Sequence, residues 1–372
     1  MVVIPFIDLK SQRIAYKEEL QKAEQQVLDS GIYIGGPQVE ALEEELALSC
    51  DKQDFFAVTC GSGTDALTIS LSALNLQPGD QVIVPDFTFI APAECVAQLG
   101  ATPIFADINP NTLLIDPSEI AKRVTPKTKG IIAVDLFGEC APYQELRKVA
   151  QQYGLWILED SAQAFGATQK NSQEKKQYAC TFGDMAITSF YPTKPLGCYG
   201  DGGAIFTSNP HLAQKARELA NHGSRSRYLH QSVGFNSRLD ALQAAVLRIK
   251  LRHLEEEFSM RYKKAKIYDD FFMNWKGVKV TPQHIIDGNV STYAQYTLLA
   301  ENRERFIQIL TKAEIPYCIH YPMPLHKQPC FAHLTHPTQE NNSQQISQKV
   351  ISLPFCAFTD VQSIIEKINS IA

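Results

Sequence analysis

Between Phe55 and Leu158 short apolar runs alternate with segments of helical periodicity, and this rhythm constrains the fold more than any other feature of the chain. Phe55–Thr59, Gln81–Val84, Thr102–Ala106, Gly130–Val134 and Leu155–Leu158 read as strands, with helices near Thr64–Leu74, Pro92–Leu99, Ser118–Val124 and Tyr143–Tyr153 between them. Runs this apolar on both faces need cover on both sides. Strand–helix alternation at this spacing therefore predicts crossover units and a mainly parallel sheet sandwiched by helices. In such sheets ligands sit beyond the carboxyl ends of the strands, which is where functional residues should be sought.

The flanks fit around that frame. Ser11–Asp29 reads as a helix, the loop Gly31–Pro37 interrupts it, and Val39–Leu48 follows as a second helix. The polar run Gln169–Gln177 has mixed charges and no apolar anchor, which reads as a solvated loop. Ala204–Thr207 reads as a further strand, His211–Ala220 as a helix, and Asp240 to about Phe258, continuing towards Asn274, as a long amphipathic helix. The expected division is a large domain over residues 1–254, including an N-terminal arm, and a smaller C-terminal α+β domain over 255–372.

Composition excludes several functions. At 372 residues and 44% hydrophobic content there is material for a large core. A net charge of −5 without a block of like charge offers no surface for nucleic acid or an anionic membrane. No apolar run approaches the ~18 residues of a membrane span. The start, Met1 to Leu9, lacks the basic region, apolar core and cleavage site of a secretory signal, so a cytoplasmic location is expected. Nine scattered cysteines without a Cys-x-x-Cys pair indicate neither a disulfide framework nor a metal site.

Four segments carry chemistry. Cys60–Ala66 (Cys-Gly-Ser-Gly-Thr-Asp-Ala) lies between a strand and a helix, where glycines let a ligand approach the backbone, Ser62 or Thr64 caps the helix, and the exposed amides make an anion site. Alone, it reads first as a structural strand-to-helix turn, and it lacks the Gly-x-x-x-x-Gly-Lys-[Ser/Thr] pattern of a P-loop. Pro85–Ile90 puts Phe89 where it can stack on a flat ring or pack as core. Asp160, just beyond a buried strand, needs a positive partner or donors, unless it is an exposed helix cap. Lys194, in Thr188–Gly203 (Thr-Ser-Phe-Tyr-Pro-Thr-Lys-Pro-Leu-Gly-Cys-Tyr-Gly-Asp-Gly-Gly), is an amine that shielding can turn into a nucleophile towards a carbonyl, and alone it reads as a solvated loop lysine beside a Pro/Gly turn. An anion site, an aromatic platform, a carboxylate and a lysine at successive strand ends together match pyridoxal 5'-phosphate. Its phosphate would lie at Gly63 and Thr64, its ring under Phe89, its nitrogen at Asp160 and its aldehyde at Lys194.

These segments, with Glu159–Gln163, Ser189–Lys194, Gly200–Gly203, Asn221–Gly223 and Gly234–Asp240, resemble the DegT/StrS nucleotide-sugar aminotransferases of the fold-type-I pyridoxal-phosphate enzymes over essentially the whole chain. The resemblance implies a seven-stranded, mainly parallel sheet and a homodimer with active sites shared between subunits. It further implies Ser189 at the phosphate, Gln163 at the ring hydroxyl, and Asn236 reaching the phosphate of the neighbouring subunit's cofactor. Lys194-Pro-Leu-Gly-Cys-Tyr-Gly, Tyr293–Thr297 and His320–His326 resemble the branch that moves an amino group from L-glutamate to C3 of a UDP-linked 3-keto uronic acid for surface polysaccharides. A guanidinium fork and two further donors suit a sugar carboxylate, which points to Arg238, His320 and Tyr321. Arg238 reads alternatively as half of a structural salt bridge, and His320 and Tyr321 as a packing pair. Asp135 departs from the pattern, which has a small or imidazole residue there. Competing functions are amination of another keto-sugar nucleotide at C4, a sugar dehydratase, which has histidine in place of Lys194, and a non-catalytic cofactor-binding regulator.

Overall fold

The computed structural model describes residues 4–171, 173–334 and 341–371; Met1–Val3 of the N-terminal stretch and Ser172 of the polar run lie outside them. The large sheet contains β1 (Phe56–Cys60), β2 (Gln81–Pro85), β3 (Thr102–Ala106), β4 (Thr128–Val134), β5 (Trp156–Asp160), β8 (Met185–Ser189) and β9 (Gly203–Thr207). Between β5 and β8 the chain makes a small hairpin of β6 (Thr168–Lys170) and β7 (Lys176–Tyr178). The spatial order is β1-β9-β8-β5-β4-β2-β3, seven strands of which only β9 runs opposite to its neighbours. Six strands therefore end on the same edge. β9 begins there, with Gly203 paired to both Cys60 and Ser189.

Burial explains why this sheet forms. β9 is buried at all five residues, and β2, β5 and β8 at four each, so the strands are apolar on both faces and need helices on both. Helices Gly63–Ala73, Ala91–Gln98 and Pro210–Ala220 supply one cover, packing Leu67, Leu71, Val96 and Ala216 against Val58, Val84 and Ile187. Fully burying one such side chain contributes about 1.5–3 kcal/mol. Ser62 caps the helix that follows β1 by accepting from the Asp65 N–H at 3.0 Å, a contact worth about 0.5–2 kcal/mol.

A second layer is built by β12 (Val280–Pro282), β13 (Tyr296–Ala300) and β14 (Val350–Leu353), an antiparallel sheet in that order. The short pair β10 (Ser224–Ser226) and β11 (Leu229–His230) precedes it on the surface. Helices Leu254–Asn274, Arg303–Lys312 and Val361–Ile371 close an aromatic core over the three strands, with Tyr268, Phe272, Tyr296, Phe306 and Phe355 in contact.

Three expectations about local structure need correction. The polar run is a hairpin, Thr168 pairing with Tyr178 and Lys170 with Lys176, because backbone hydrogen bonds and the Asn171 side chain, which accepts from the Gln173 and Lys175 N–H groups, hold a strand pair that no apolar pattern announces. The N-terminal helix is two, Leu9–Ala15 and Lys17–Ser30, broken at Tyr16. The long helix likewise divides into Ala241–Arg252 and Leu254–Asn274 at His253. The two breaks face each other: the Tyr16 and His253 rings stack with centroids 4.1 Å apart, and the Tyr16 hydroxyl donates to Glu257 at 3.0 Å. A tertiary contact therefore replaces the continuous helices that periodicity predicts.

Candidate active site

The strand ends converge on a cavity of about 540 Å³, a size that suits a small organic ligand. Its walls include Ser62, Gly63 and Thr64 after β1, Phe89 after β2, Asp160 at the end of β5, Ser189 at the end of β8, and Lys194 five residues further on. Gln163, His320 and Tyr321 also line it.

At one end the turn before the first-sheet helix presents backbone amides at a helix N-terminus, where partial positive charge favours an anion. The turn is held very close to its neighbours. A Cβ on Gly63 would lie 2.6 Å from the Ser189 Cβ, and one on Gly203 only 2.4 Å from the Ser62 carbonyl oxygen. Glycine at both places lets β1, β8 and β9 bring Thr64 and Ser189 to one spot. Ser237 braces the same turn, accepting from the Gly61 N–H at 2.9 Å and donating to Asp65 at 2.7 Å.

In the middle, Asp160 is 5% exposed, which removes the reading of it as a solvated helix cap. One carboxylate oxygen accepts from the Ala162 N–H at 3.0 Å. Burial raises its pKa, against which the Ala162 N–H and the nearby Lys194 charge pull downward. Lys194 is reachable from the cavity, yet the packing around its amine lowers its pKa, with Asp160 opposing. An amine so placed is more readily deprotonated, as attack on a carbonyl requires.

The far wall comes from the chain before β14. Gln163 accepts from the Phe137 N–H at 2.9 Å and donates to the Tyr321 hydroxyl at 3.3 Å, which fixes its amide. His320 contacts Ser352 through Nδ1 at 3.2 Å, and burial first, then the Lys194 charge, pulls its pKa down to about 4. The imidazole is therefore neutral at neutral pH, able to donate or accept but not to act as a cation. Tyr321 is held protonated, chiefly by burial. Phe89 sits at the mouth, exposed, its ring 6.3 Å from that of Tyr321.

Arg238 is not brought into this cavity, nor is Asn236, which the resemblance assigns to the neighbouring subunit's cofactor. Asn236 and Arg238 are exposed and lie outside its walls, although Ser237 between them braces the anion turn. Among the described residues Arg238 has no ion pair, so the alternative of a structural salt bridge finds no partner there. Asp135 does not line the cavity either. Its carboxylate instead meets the Ala141 N–H and the Tyr143 and Ser161 hydroxyls, and Val134 beside it is the residue that lines the cavity.

The sequence reading did not single out Thr88 and Gln295, which also line the cavity and whose Oγ1 and Oε1 atoms are buried without a protein partner among the described residues. Both stand in segments valued for other members, and nothing in their spacing separates them from packing residues.

The arrangement fits pyridoxal phosphate on its own chemistry: an anion turn that glycines alone permit, a buried carboxylate beside a position for a cationic ring nitrogen, and an amine of lowered pKa. A mainly parallel sheet with this site at its carboxyl edge has the layout of a fold-type-I pyridoxal-phosphate enzyme. The chain belongs to the DegT/DnrJ/EryC1/StrS aminotransferase family, whose profile spans residues 15–369. It is 44% identical, over 97% of its length and 98% of the relative's, to the UDP-2-acetamido-2-deoxy-3-oxo-D-glucuronate aminotransferase of Pseudomonas aeruginosa. The solved structure of DesV from S. venezuelae superposes with a TM-score of 0.93 at 35% identity, covering 100% of this chain and 98% of the other. That of NtdA from Bacillus subtilis, with bound cofactor PMP, gives 0.88 at 28% identity, covering 100% and 85%.

Proposed function

We propose that this aminotransferase moves an amino group from L-glutamate to C3 of a UDP-linked 3-keto uronic acid, UDP-2-acetamido-2-deoxy-3-oxo-glucuronate, in the synthesis of surface polysaccharide. The observation that carries the reading is the joint placement of Lys194 and Asp160 in one cavity whose far wall is His320 and Tyr321. The 44% identity to an enzyme of that substrate supports it.

Pyridoxal phosphate, when bound, supplies an electron-withdrawing ring that lets a proton leave the carbon bearing the amine. Gly63, Thr64 and Ser189 would hold its phosphate, Phe89 would cover its ring, and Gln163 would meet its ring hydroxyl. Asp160 keeps a proton on the ring nitrogen, because a buried carboxylate favours a cationic partner. The Lys194 amine would hold the aldehyde carbon between turnovers and, once released, accepts and returns protons at the donor and acceptor carbons. A placed base of this kind is worth about 10²–10⁴ in rate. His320 and Tyr321 donate neutral hydrogen bonds towards the sugar, leaving recognition of its carboxylate to a guanidinium.

Arg238 is the guanidinium assigned here. Its exposure, with that of Asn236, supports a homodimer in which this segment enters the partner's cavity, Asn236 towards phosphate and Arg238 towards the uronate. Nine free thiols, seven of them buried, support a reducing compartment, the cytoplasm. No helix among the described residues is long and apolar enough to cross a membrane.

The test is turnover of UDP-linked 3-keto uronate against the same sugar nucleotide lacking the carboxylate, with L-glutamate as donor. The uronate should win in kcat/KM, and Arg238→Ala should remove most of its advantage by raising KM. Equal use of both sugars by the wild type refutes the uronate assignment.

A further inference from the structure

Asp135, at a position where the resemblance implies a small or imidazole residue, belongs to a buried cluster that the reaction described above does not use. Glu159 and Ser161 flank Asp160 in the chain, and strand alternation turns their side chains to the face of the sheet opposite the cavity. There Asp135, Glu159 and Ser161 are all 0% exposed. The Ser161 hydroxyl lies 2.6 Å from Asp135 Oδ2 and 2.8 Å from Glu159 Oε1. Among the described residues neither carboxylate has a lysine, arginine or histidine within ion-pair distance.

Counting hydrogens decides the arrangement. A serine hydroxyl has one proton to donate, so it cannot satisfy two carboxylates at once. One of the two short contacts must run the other way, from a carboxylic acid to the serine oxygen. Two unpaired buried carboxylates cannot both stay ionised at this separation in any case.

The surroundings say which one is charged. Glu159 accepts from the Cys180 N–H at 2.5 Å, the Phe182 N–H at 2.7 Å and the Gly183 N–H at 3.0 Å. Two of those peptide groups are polarised from behind. The Thr181 carbonyl, which shares its peptide with the Phe182 N–H, accepts from Lys52 at 3.1 Å, and the Phe182 carbonyl, which shares its peptide with the Gly183 N–H, accepts from Arg147. Carbonyl and N–H are antiparallel across a trans peptide, so each cation relays positive potential to Glu159. Asp135 receives only the Ala141 N–H and the Tyr143 hydroxyl, both at 2.8 Å and both on Oδ1, which leaves Oδ2 free to carry a proton.

We propose that Asp135, Ser161 and Glu159 form a one-proton clamp that positions Asp160, with Asp135 a neutral acid donating to Ser161, Ser161 donating to Glu159, and Glu159 carrying the charge. The clamp ties the end of β5 to the segment after β4 through Asp135 and to the segment before β8 through Glu159. The Asp135 N–H also donates to the Asp160 carbonyl at 2.9 Å, and the Ser161 N–H to that of Ile187 at 2.9 Å, so Asp160 is fixed on both sides. Tyr143 and Cys140 face the pair from the Asp135 side, and Cys50, Cys180, Lys52 and Arg147 from the Glu159 side. The proposal rests on Asp160 being the partner of the cofactor's ring nitrogen, through which Asp135 and Glu159 act as positioning residues.

The experiment compares Asp135→Asn and Glu159→Gln in the full-length protein. An amide reproduces the donor of a neutral Asp135, but at Glu159 its NH2 must replace one oxygen and so face either the Cys180 N–H or the Phe182 and Gly183 N–H groups. Asp135→Asn should keep the melting temperature within a few degrees and the pH midpoint of the bound cofactor's absorbance unmoved, while the infrared difference against wild type at neutral pH shows loss of a protonated carboxyl band. Glu159→Gln should weaken cofactor binding at least tenfold and shift that midpoint. If Glu159→Gln does not fold, Ser161→Ala carries the same expectation of a shifted midpoint. An infrared difference without a protonated carboxyl overturns the proton assignment whatever the cofactor does. An unmoved midpoint in Glu159→Gln or Ser161→Ala overturns the positioning role. Asp160→Asn run beside them separates the premise: if it leaves cofactor affinity and midpoint unchanged, the role of Asp160 falls and positioning falls with it, while the infrared result still stands on its own.

Discussion

Replacing Gly63 with alanine should damage phosphate binding and little else. The added Cβ would sit 2.6 Å from the Ser189 Cβ and 3.1 Å from its Oγ, where ordinary contact needs 3.4–4 Å. The turn must therefore open by about an ångström, and overpacking of that size costs about 1–3 kcal/mol. Without phosphate the turn can relax into the cavity. With phosphate bound, Thr64 and Ser189 have to close on one group, so the cost falls on cofactor affinity. At about 1.4 kcal/mol per factor of ten, the dissociation constant for pyridoxal phosphate should rise about 5- to 150-fold. Pyridoxal, which lacks the phosphate, should bind alanine variant and wild type within about twofold, since nothing near Asp160 or Lys194 has moved. The assay is titration of the cofactor-free protein with each compound, followed by absorbance. Equal losses for both compounds would show that the turn supports the whole cavity rather than an anion, and no loss for either would remove the phosphate from this turn.

Lys194→Ala should abolish the visible absorbance of the cofactor-loaded protein that L-glutamate bleaches; a band that persists in the variant refutes the role of Lys194. Assayed at a uronate concentration far below the raised KM of Arg238→Ala, where neither variant alone turns over appreciably, co-expressed Lys194→Ala and Arg238→Ala subunits should recover about a quarter of wild-type activity if the cavity is shared across a dimer, because random mixing leaves one intact site in half of the dimers; no recovery refutes the sharing. Glu139 is buried and pushed up to about 8 by desolvation, against which the Ile286 N–H and the Asn289 amide pull down. Its neutral form is favoured by folding, so this contribution is complete below the unfolded value near 4.5 and is lost as pH rises towards 8, by roughly 3 kcal/mol at pH 7. The melting temperature of wild type should therefore fall between pH 5 and 8 relative to Glu139→Gln, and parallel pH curves for the two proteins would contradict this.

Much of the fold follows from chain-local pattern. Strand-and-helix alternation, read from apolar runs and their spacing, places β1 to β5 within a residue or two of their observed ends, because burial on both faces leaves its mark on every residue of a strand. The same locality makes part of the site legible: Gly63, Phe89 and Asp160 lie at or just beyond strands read from their apolar runs, and strand ends are where such a sheet meets its ligand, whereas Ser189 is marked only by the family resemblance. β8 was not legible as a strand. Its last residues, Thr188 and Ser189, are hydroxylic, and only its central place in the sheet, between β5 and β9, buries it.

What remained belongs to partners far apart in sequence. The sequence marks Asp135 as unusual, but only packing turns it away from the cavity and sets it against Ser161 and Glu159, and the number of hydrogens available there then dictates its charge. The breaks at Tyr16 and His253 exist because two rings 237 positions apart stack, and no periodicity within either helix contains that contact. His320 and Tyr321 enter the cavity while Asn236 and Arg238 stay outside it, although all four are polar or aromatic residues in turn-rich segments. Local propensity sets which residues form a strand or a turn. Which strand lies beside which, and which buried carboxylate keeps its proton, is decided by the summed packing and hydrogen bonding of the assembled tertiary structure.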